Sequence, residues 1–190
     1  AASSLSFLHN FSLIHDDIED DSDTRRGRPT VWKKWNMPQA LNSGDLMFSF
    51  SYACMMRLAE VGHSPEITLR ALKLLQNTIK QLVHGQHLDM TFETRDDVTL
   101  AEYWQMINGK TAALIACSCE IGALLAGATK QQQQQLAHFG RSLGLAFQVQ
   151  DDWLGIWGDP AVTGKSASMD LITHKKTIPI LFGLEQNREF

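Results

Sequence analysis

The sequence predicts an all-α protein, a helical bundle whose sequential helices pack as antiparallel neighbours. Apolar residues recur at helical spacing along most of the chain, and capping residues mark several helix starts. No convincing strand, internal repeat or long linker is visible. The 190 residues are 44% hydrophobic and 20% charged, which is enough apolar material for one core. We therefore expect a single domain over residues 1–190.

The first helix carries an apolar stripe at spacings of four, three and four residues, formed by Phe7, Phe11, Ile14 and Ile18. At about 100° per residue, Asp16 and Asp20 lie together on the opposite side, and His9 joins them two turns earlier. Asp17 lies at the edge of that face. The helix should fray before Gly27 and Pro29.

The later helices are predicted from their caps. They run from Met37 to about Glu60, from Pro65 to about Phe92, from Thr99 to about Leu124, and from Thr129 to a second acidic site. Thr99 with Glu102 and Thr129 with Gln132 each have the spacing of a capping box.

Composition excludes some function classes. The net charge of −4 indicates no general basic face for nucleic acid. The apolar runs are broken by Gly, Gln, Lys or His, so none predicts a membrane span. Cys54, Cys117 and Cys119 form neither a zinc spacing nor an even disulfide set, and we expect a reduced, cytoplasmic location.

The end of the first helix is strongly acidic. Carboxylates at positions i, i+1 and i+4 repel one another by a few tenths of a kcal/mol per pair. Hard divalent cations with oxygen ligands would compensate. Arg25 and Arg26 follow, which suggests a phosphate or diphosphate bridged by metal. For this cluster alone, a solvated acidic helix end neutralised by arginines is the alternative.

A second acidic cluster lies far along the chain. Gln148, Asp151 and Asp152 share a helical face with Gly144 and Gly155, whose missing side chains would leave room for a ligand. If the two clusters face each other across a bundle, they form a three-metal clamp around a diphosphate. Such a clamp stabilises a leaving group and leaves a carbocation behind.

These motifs resemble those of the trans-isoprenyl diphosphate synthases, the polyprenyl synthetase family, over essentially the whole chain. The first motif is D-D-I-E-D followed by R-R-G at Asp16–Gly27. The second is F-Q-V-Q-D-D, followed by G-D-P-A-V-T-G-K and K-K-T-I-P. Two smaller signatures are G-Q-H-L-D at Gly85–Asp89 and G-K-T at Gly109–Thr111. The resemblance implies the isoprenoid synthase type of helical bundle, with a central cavity.

The resemblance also implies three Mg²⁺ ions and roles for individual residues. Asp16, Asp17 and Asp20 would surround Mg²⁺ bound to the allylic diphosphate, with Asp16 and Asp20 as direct ligands. Asp151 would hold the third Mg²⁺, and Asp152 would support it.

The remaining roles concern the substrates. The contacts to the allylic diphosphate would come from Arg25, Lys110, Lys165 and Lys175, and those to isopentenyl diphosphate from Arg26 and His9. Thr111 and Gln148 would lie near the developing cation, and Gln86 and Asp89 would line the same cavity. The departing diphosphate would take the proton lost from the new carbon–carbon bond.

The sequence departs from the family pattern at two places. Gly155 stands where the second motif normally ends in a third aspartate, which should weaken the surroundings of one metal without abolishing chemistry. Asp159 lies one turn on, but Asp159–Pro160 should end the helix. Family members also have N-terminal helices with a Gly-Gly-Lys-x-x-Arg segment and further C-terminal helices, so we expect this chain to be an excerpt.

Product length is expected from residues before the first motif, namely Leu8, Phe11 and Ser12. An aromatic residue five positions before Asp16 is similar to the archaeal-type geranylgeranyl synthases and implies a twenty-carbon product. The helical wheel places Phe11 on the apolar stripe instead, so core packing is an equal alternative.

The sequence therefore predicts a Mg²⁺-dependent, homodimeric prenyltransferase that makes geranylgeranyl diphosphate from isopentenyl diphosphate and an allylic primer. A class I terpene cyclase uses metal ions on the same fold in the same way, but it does not need Arg26 and His9 to bind a second diphosphate. A catalytically silent subunit of a heteromeric synthase would explain Gly155. A non-enzymatic acidic scaffold would explain the first cluster alone.

Overall fold

The structure, a computed structural model, describes residues 1–159 and 175–185. Its elements are α1 (Ala2–Glu19), β1 (Thr24–Arg25), β2 (Arg28–Pro29), α2 (Val31–Lys34), α3 (Met37–Met56), α4 (Pro65–Glu93), α5 (Leu100–Ile107), a π-helical segment (Asn108–Ala112), α6 (Ala113–Leu125), α7 (Lys130–Trp157) and α8 (Ile178–Glu185). The all-α prediction is confirmed. The described residues form two compact units, residues 1–74 with 124–127 and residues 75–123 with the described residues from 128 onward.

Both predicted capping boxes are present. The Glu102 N–H donates to Thr99 Oγ1 over 3.2 Å, and the Thr99 N–H donates back to the Glu102 carboxylate over 2.9 Å. Thr129 and Gln132 make the same reciprocal pair over 3.3 and 2.9 Å. Each pair satisfies backbone donors that a helix start leaves without an intrahelical partner, which fixes where α5 and α7 begin.

Three local expectations are wrong. The chain does contain a strand pair, because β1 and β2 form a two-residue antiparallel hairpin after α1. Helix α3 ends at Met56 rather than near Glu60, and turns lead to Gly62 at a φ of +97°. The helix expected from Thr99 to Leu124 is interrupted by the π segment, in which the Ala113 N–H bonds the Asn108 carbonyl five residues back.

In the first unit, α1 packs along α3. The Ser4 hydroxyl donates to the Ser51 carbonyl over 2.6 Å, with both residues fully buried. Further along, the ring of Phe7 lies 5.5 Å from that of Phe50. Of the predicted apolar stripe, Ile14 is buried, whereas Phe7 and Phe11 are half-buried against aromatic rings of α3.

In the second unit, α4 and α7 approach the π segment and α6 at backbone distance. A Cβ on Gly85 would lie 2.2 Å from the backbone nitrogen of Lys110, and one on Gly109 would lie 2.6 Å from the Gln81 carbonyl oxygen. A Cβ on Gly144 would lie 2.6 Å from the Ala112 Cα. The expectation that Gly144 leaves room for a ligand is therefore wrong, since a neighbouring helix fills that space.

The core of the second unit also holds α5 and α8. Its buried members are Phe92, Val98, Tyr103, Met106, Ile107 and Leu181. Among the described residues, no helix is both long enough and apolar enough to cross a membrane.

Candidate active site

A tight hairpin returns the chain to the end of α1. Arg26 and Gly27 at its tip have φ values of +53° and +72°, the pattern of a type I′ turn, which matches the twist of the two strands. The Thr30 N–H donates to the Asp23 carbonyl over 3.0 Å, and the Trp32 indole N–H donates to the Ser22 carbonyl over 2.8 Å. These bonds fix the strand that carries Arg25.

Arg25 binds two consecutive carboxylates of α1. Its Nε donates to Asp17 Oδ1 over 2.6 Å, and its Nη2 donates to Asp16 Oδ2 over 2.9 Å. Burial raises the pKa of Asp17, and the hydrogen bond from Arg25 opposes that rise. Asp17, at the edge of the aspartate face, is only 4% exposed. Asp16 is the more accessible of the two.

Asp20, His9 and Arg26 complete the predicted first cluster. Asp20 is the C-cap of α1, and its N–H donates to the Asp16 carbonyl over 2.9 Å. Partial burial lowers the pKa of His9, and the positive charges of Arg26 and Arg25 lower it further. His9 therefore lies close enough to both arginines for their positive charges to disfavour its protonation.

The three residues expected to set product length lie on the same helix. Leu8 is fully buried, and Ser12 donates its hydroxyl to the His9 carbonyl over 2.8 Å. The Phe11 ring lies 5.0 Å from that of Phe48 on α3 and 4.7 Å from the His15 imidazole. These contacts support core packing of Phe11, and its role in chain length stays a prediction.

In the second unit, Asp89 lies between two lysines. Lys110 Nζ donates to Asp89 Oδ2 over 2.6 Å and Lys175 Nζ over 3.2 Å, while Lys175 also binds Glu93 over 2.7 Å. Burial would raise the pKa of Asp89, but the two lysines outweigh it and hold that pKa below its usual range. The close approach at Gly85 brings α4, which carries Asp89, against the backbone of Lys110.

Thr111 and Gln148 belong to a hydrogen-bonded chain that ends on Asp152. Thr111 Oγ1 donates to Gln148 Oε1 over 2.6 Å, and Gln148 Nε2 donates to Asp152 Oδ1 over 2.8 Å. The Tyr103 hydroxyl and the Ile178 N–H both donate to Asp152 Oδ2, over 2.7 and 3.1 Å. Burial raises the pKa of Asp152, and these donors oppose the rise.

Sequence reasoning missed Tyr103 as a member of this site. A buried tyrosine in a capped helix is ordinary core material, and its partner lies 49 residues further along the chain. No local pattern could have joined the two residues.

The remaining residues that were predicted to belong to the site, beyond the first cluster, lie as follows. Asp151 is half-buried on α7 beside Asp152, and Gln86 is half-buried on α4, one turn before Asp89. Helix α7 ends at Trp157, so Asp159 lies beyond it and does not continue the face of Gly155. Lys165 lies outside the described residues.

The first cluster offers carboxylate oxygens to a metal ion. Asp16 and Asp17 already converge on one cationic group, the Arg25 guanidinium, and carboxylate oxygen is the donor that Mg²⁺ prefers. Within residues 1–159 and 175–185, no three His, Cys, Asp or Glu side chains are arranged to hold a metal ion. A Mg²⁺ ion held here by one or two carboxylates would take its remaining ligands from substrate phosphates and water, as Mg²⁺ commonly does.

An open apolar groove of about 450 Å³ also lies on the second unit, lined by Trp104, Leu145, Ala146, Val149, Gln150 and Trp153. Its residue Leu145 lies seven residues before Asp152 and so on nearly the same side of α7, whereas Ala146, Gln150 and Trp153 project from further round that helix.

Comparison with known proteins agrees with this geometry. The family model for polyprenyl synthetases matches residues 1–190. The chain is 46% identical over 179 residues to a (2E,6E)-farnesyl diphosphate synthase of Mycobacterium tuberculosis, covering 94% of this chain and 48% of that protein. It is 40% identical over 188 residues to a geranylgeranyl diphosphate synthase of the same organism, covering 99% and 53%. The chain thus spans about half the length of these relatives.

A solved structure gives the same result for the fold. The geranyltransferase from Helicobacter pylori, complexed with magnesium and isoprenyl diphosphate, has a TM-score of 0.84 at 31% identity, covering 96% of this chain and 60% of that one. The predicted isoprenoid synthase type of fold is confirmed. With its two aspartate-rich segments and the signatures between them, the chain belongs to the polyprenyl synthetase family.

Proposed function

We propose that this chain carries the catalytic core of a Mg²⁺-dependent trans-prenyltransferase that condenses isopentenyl diphosphate with an allylic diphosphate. The observation that carries the proposal lies in the π segment. Lys110, paired there with Asp89 over 2.6 Å, is suited to a diphosphate. The next residue, Thr111, begins the chain of oxygen dipoles that runs through Gln148. A leaving-group site and a carbocation site are therefore adjacent.

The reaction has three balanced steps. The bond between the allylic carbon and its diphosphate oxygen breaks, and both electrons leave with the oxygen. The double bond of isopentenyl diphosphate then supplies the electron pair of the new carbon–carbon bond. A proton is lost beside that bond and passes to the departing diphosphate. Stabilising the charge on the leaving group accounts for much of the lowering of the barrier.

The residues divide between these steps. Lys110, Lys175, Lys165 and Arg25 are proposed to hold the allylic diphosphate, and Arg26 and His9 the isopentenyl diphosphate. Bound Mg²⁺ would supply Lewis-acid charge at the leaving diphosphate, and Asp16, Asp20 and Asp151 are its proposed ligands. Asp17 is proposed to orient Arg25, since it is buried against that guanidinium. The number of three Mg²⁺ ions stays a prediction.

The relatives support this proposal and leave two products open. The two Mycobacterium relatives are a farnesyl and a geranylgeranyl diphosphate synthase, and the Helicobacter structure holds magnesium with isoprenyl diphosphate. We propose geranylgeranyl diphosphate as the product, with Phe11 and its neighbours as the limit on chain length.

We also propose a cytoplasmic homodimer. The free thiols of Cys54, Cys117 and Cys119 agree with a reducing compartment. Light scattering after size exclusion should give the mass of two copies, and cell fractionation should place the protein with cytoplasmic markers. A single-copy mass would contradict the first statement, and recovery with secreted proteins the second.

The test is a condensation assay with the full-length protein, Mg²⁺, labelled isopentenyl diphosphate and five-, ten- or fifteen-carbon allylic primers. The products are dephosphorylated and weighed. We expect label in a twenty-carbon alcohol from all three primers. A ladder that stops at fifteen carbons or continues beyond twenty would keep the transferase and remove the role of Phe11.

Other outcomes would overturn the proposal itself. Primer consumed without label, giving hydrocarbons, would indicate a terpene cyclase. Metal-dependent binding of an unreactive allylic diphosphate analogue without any turnover would indicate a regulatory subunit. The absence of both binding and turnover would indicate a scaffold.

A further inference from the structure

We propose that Tyr103 and Asp152 are positioning residues for this reaction, which act on the substrate through Gln148 and Thr111. The inference rests on the proposed function and extends it to a buried tyrosine that no motif includes. In this arrangement Asp152 fixes which end of the Gln148 amide faces Thr111. It thereby determines whether Thr111 presents its hydrogen or its lone pairs to the substrate.

The geometry begins with a carboxylate removed from water. Asp152 is 5% exposed and Tyr103 is fully buried. Three donors converge on the two oxygens of Asp152: the Gln148 amide at 2.8 Å, the Tyr103 hydroxyl at 2.7 Å and the Ile178 N–H at 3.1 Å. A buried carboxylate that accepts this many hydrogen bonds is held in one orientation.

The donor and acceptor roles along the Thr111–Gln148–Asp152 hydrogen bonds follow from the chemistry of each group. A carboxylate only accepts hydrogen bonds, so Gln148 must turn its NH₂ group towards Asp152. Its carbonyl oxygen then points to Thr111 and can only accept, so the Thr111 hydroxyl must donate across the 2.6 Å contact. The opposite amide orientation would place two acceptors against each other at Asp152.

This arrangement determines what Thr111 Oγ1 presents to the substrate. Because its hydrogen is committed to Gln148, the oxygen presents lone pairs in its remaining directions. Each hydrogen bond in such a chain polarises the next, by roughly 10–30% per bond, so the charge of Asp152 increases the electron density at this oxygen. Lys110, the proposed diphosphate ligand, is the preceding residue. An electron-rich oxygen there stabilises positive charge on the allylic carbon.

The Tyr103 hydroxyl can be separated from the Tyr103 ring. The ring belongs to the apolar core with Phe92 and Met106, a place that phenylalanine would also fill. The hydroxyl reaches out of that core to Asp152. Tyr103→Phe therefore removes one donor from the carboxylate and keeps the packing.

The experiment is a double-mutant cycle in the full-length protein between Tyr103→Phe and Thr111→Val, assayed by label incorporation and normalised to the folded fraction from thermal unfolding. We expect Tyr103→Phe to lower kcat about ten-fold, with the KM of either diphosphate changed less than about two-fold. In the Thr111→Val background, Tyr103→Phe should have little further effect on kcat, because the Thr111 hydroxyl through which it acts has been removed. Thr111→Ser should restore activity and sensitivity to Tyr103→Phe.

Two further variants sharpen the test. Tyr52→Phe removes the hydroxyl of the protein's other tyrosine, which lies on α3, and should leave kcat unchanged. Asp152→Asn offers an NH₂ group to Gln148, which should reverse the amide and lower kcat more than Tyr103→Phe does.

The outcomes separate the two levels of inference. A wild-type protein that incorporates no label overturns the proposed function and this inference with it. Normal wild-type turnover with losses that add in the double mutant would mean that Tyr103 does not act through Thr111, and would overturn the inference alone. So would a lower melting temperature with unchanged kcat, which would make Tyr103 purely structural.

Discussion

The acidic cluster at the end of α1 and the Asp89 site of the second unit bind cations in different ways. At the end of α1, Asp16 and Asp17 share one arginine only eight to nine residues away. In the second unit, Asp89 binds Lys110 and Lys175, which lie 21 and 86 residues away. The first cluster is assembled by one hairpin, whereas the Asp89 site requires α4, the π segment and the residues before α8 to be in place.

The cation at the first cluster is therefore positioned by a local turn, whereas the cations at Asp89 are positioned by tertiary packing. A hairpin brings Arg25 to the acidic end of α1 without help from distant segments. The lysines at Asp89 are held together only when helices pack at glycine contacts. Substitutions near the first cluster should therefore change activity with little change in stability, whereas those near the Asp89 site should change both.

The largest effect is expected from Asp16→Asn. This variant keeps the shape of the side chain and removes a proposed metal-binding charge, so turnover should fall at least about a thousand-fold. Its unfolding midpoint should change little. Asp23→Asn is the matched control, since Asp23 pairs with Lys33 over 3.0 Å on the exposed hairpin. Near-normal turnover in Asp16→Asn, measured by label incorporation, would refute the metal assignment.

Gly85→Ala should damage the Asp89 site through packing. The added Cβ would lie 2.2 Å from the Lys110 nitrogen, so the helices must separate at a loss of about 1–3 kcal/mol of unfolding free energy. Gly122→Ala is the control, because a Cβ there meets nothing within 4 Å and alanine favours the helix by up to about 1 kcal/mol. Urea unfolding measures both. Equal stability of the two variants would contradict the close-approach argument.

Asp89→Asn should change substrate binding and stability together. Without the carboxylate, Lys110 and Lys175 repel each other and lose their alignment, so the KM for the allylic diphosphate should rise about ten-fold. Asp96→Asn is the control, since Asp96 is exposed and lies 3.7 Å from Lys176. An unchanged KM in steady-state kinetics would remove Asp89 from the site.

The pH dependence of stability tests the same pair. Asp89 has a pKa below its usual range in the folded protein, so it stabilises the fold fully above the unfolded value, near pH 4. That contribution is lost as the pH falls through the lower folded pKa. The gap in unfolding free energy between the wild type and Asp89→Asn, about 1–3 kcal/mol at pH 7, should shrink below about pH 4. A gap independent of pH would mean that charge is not its cause.

The smallest effect is expected at the hairpin tip. Gly27 has a φ of +72°, so Gly27→Ala should strain the turn by about 1 kcal/mol and loosen Arg25. The KM for the allylic diphosphate should rise a few-fold. Gly27→Asn should behave like the wild type, because asparagine tolerates this conformation. Equal KM values in kinetics on all three proteins would show that the turn does not position Arg25.

Sequence reasoning succeeded where the physics is local. The capping boxes at Thr99 and Thr129 were predicted because each satisfies its helix start within four residues. The apolar stripe of α1 was predicted for the same reason. The all-α fold and the family followed from helical periodicity and from motifs at fixed spacing.

It failed where a residue's environment is supplied by another segment. Gly144 was expected to leave space, but Ala112 fills it. Tyr103 was overlooked because its hydroxyl partner comes from α7. Such environments cannot be deduced from the residues that neighbour these positions in the sequence.

The π segment has a consequence for how this chain can vary. Between Asn108 and Ala112 the helix accommodates one residue more per turn than a regular helix would hold, and Arg141 of α7 donates to Asn108 at its start. Loss of one residue from the segment would let it close as a regular α-helix, so α6 could keep its rotational phase. Lys110 and Thr111 would then no longer project from a widened turn, so a one-residue deletion here should harm the site more than the fold.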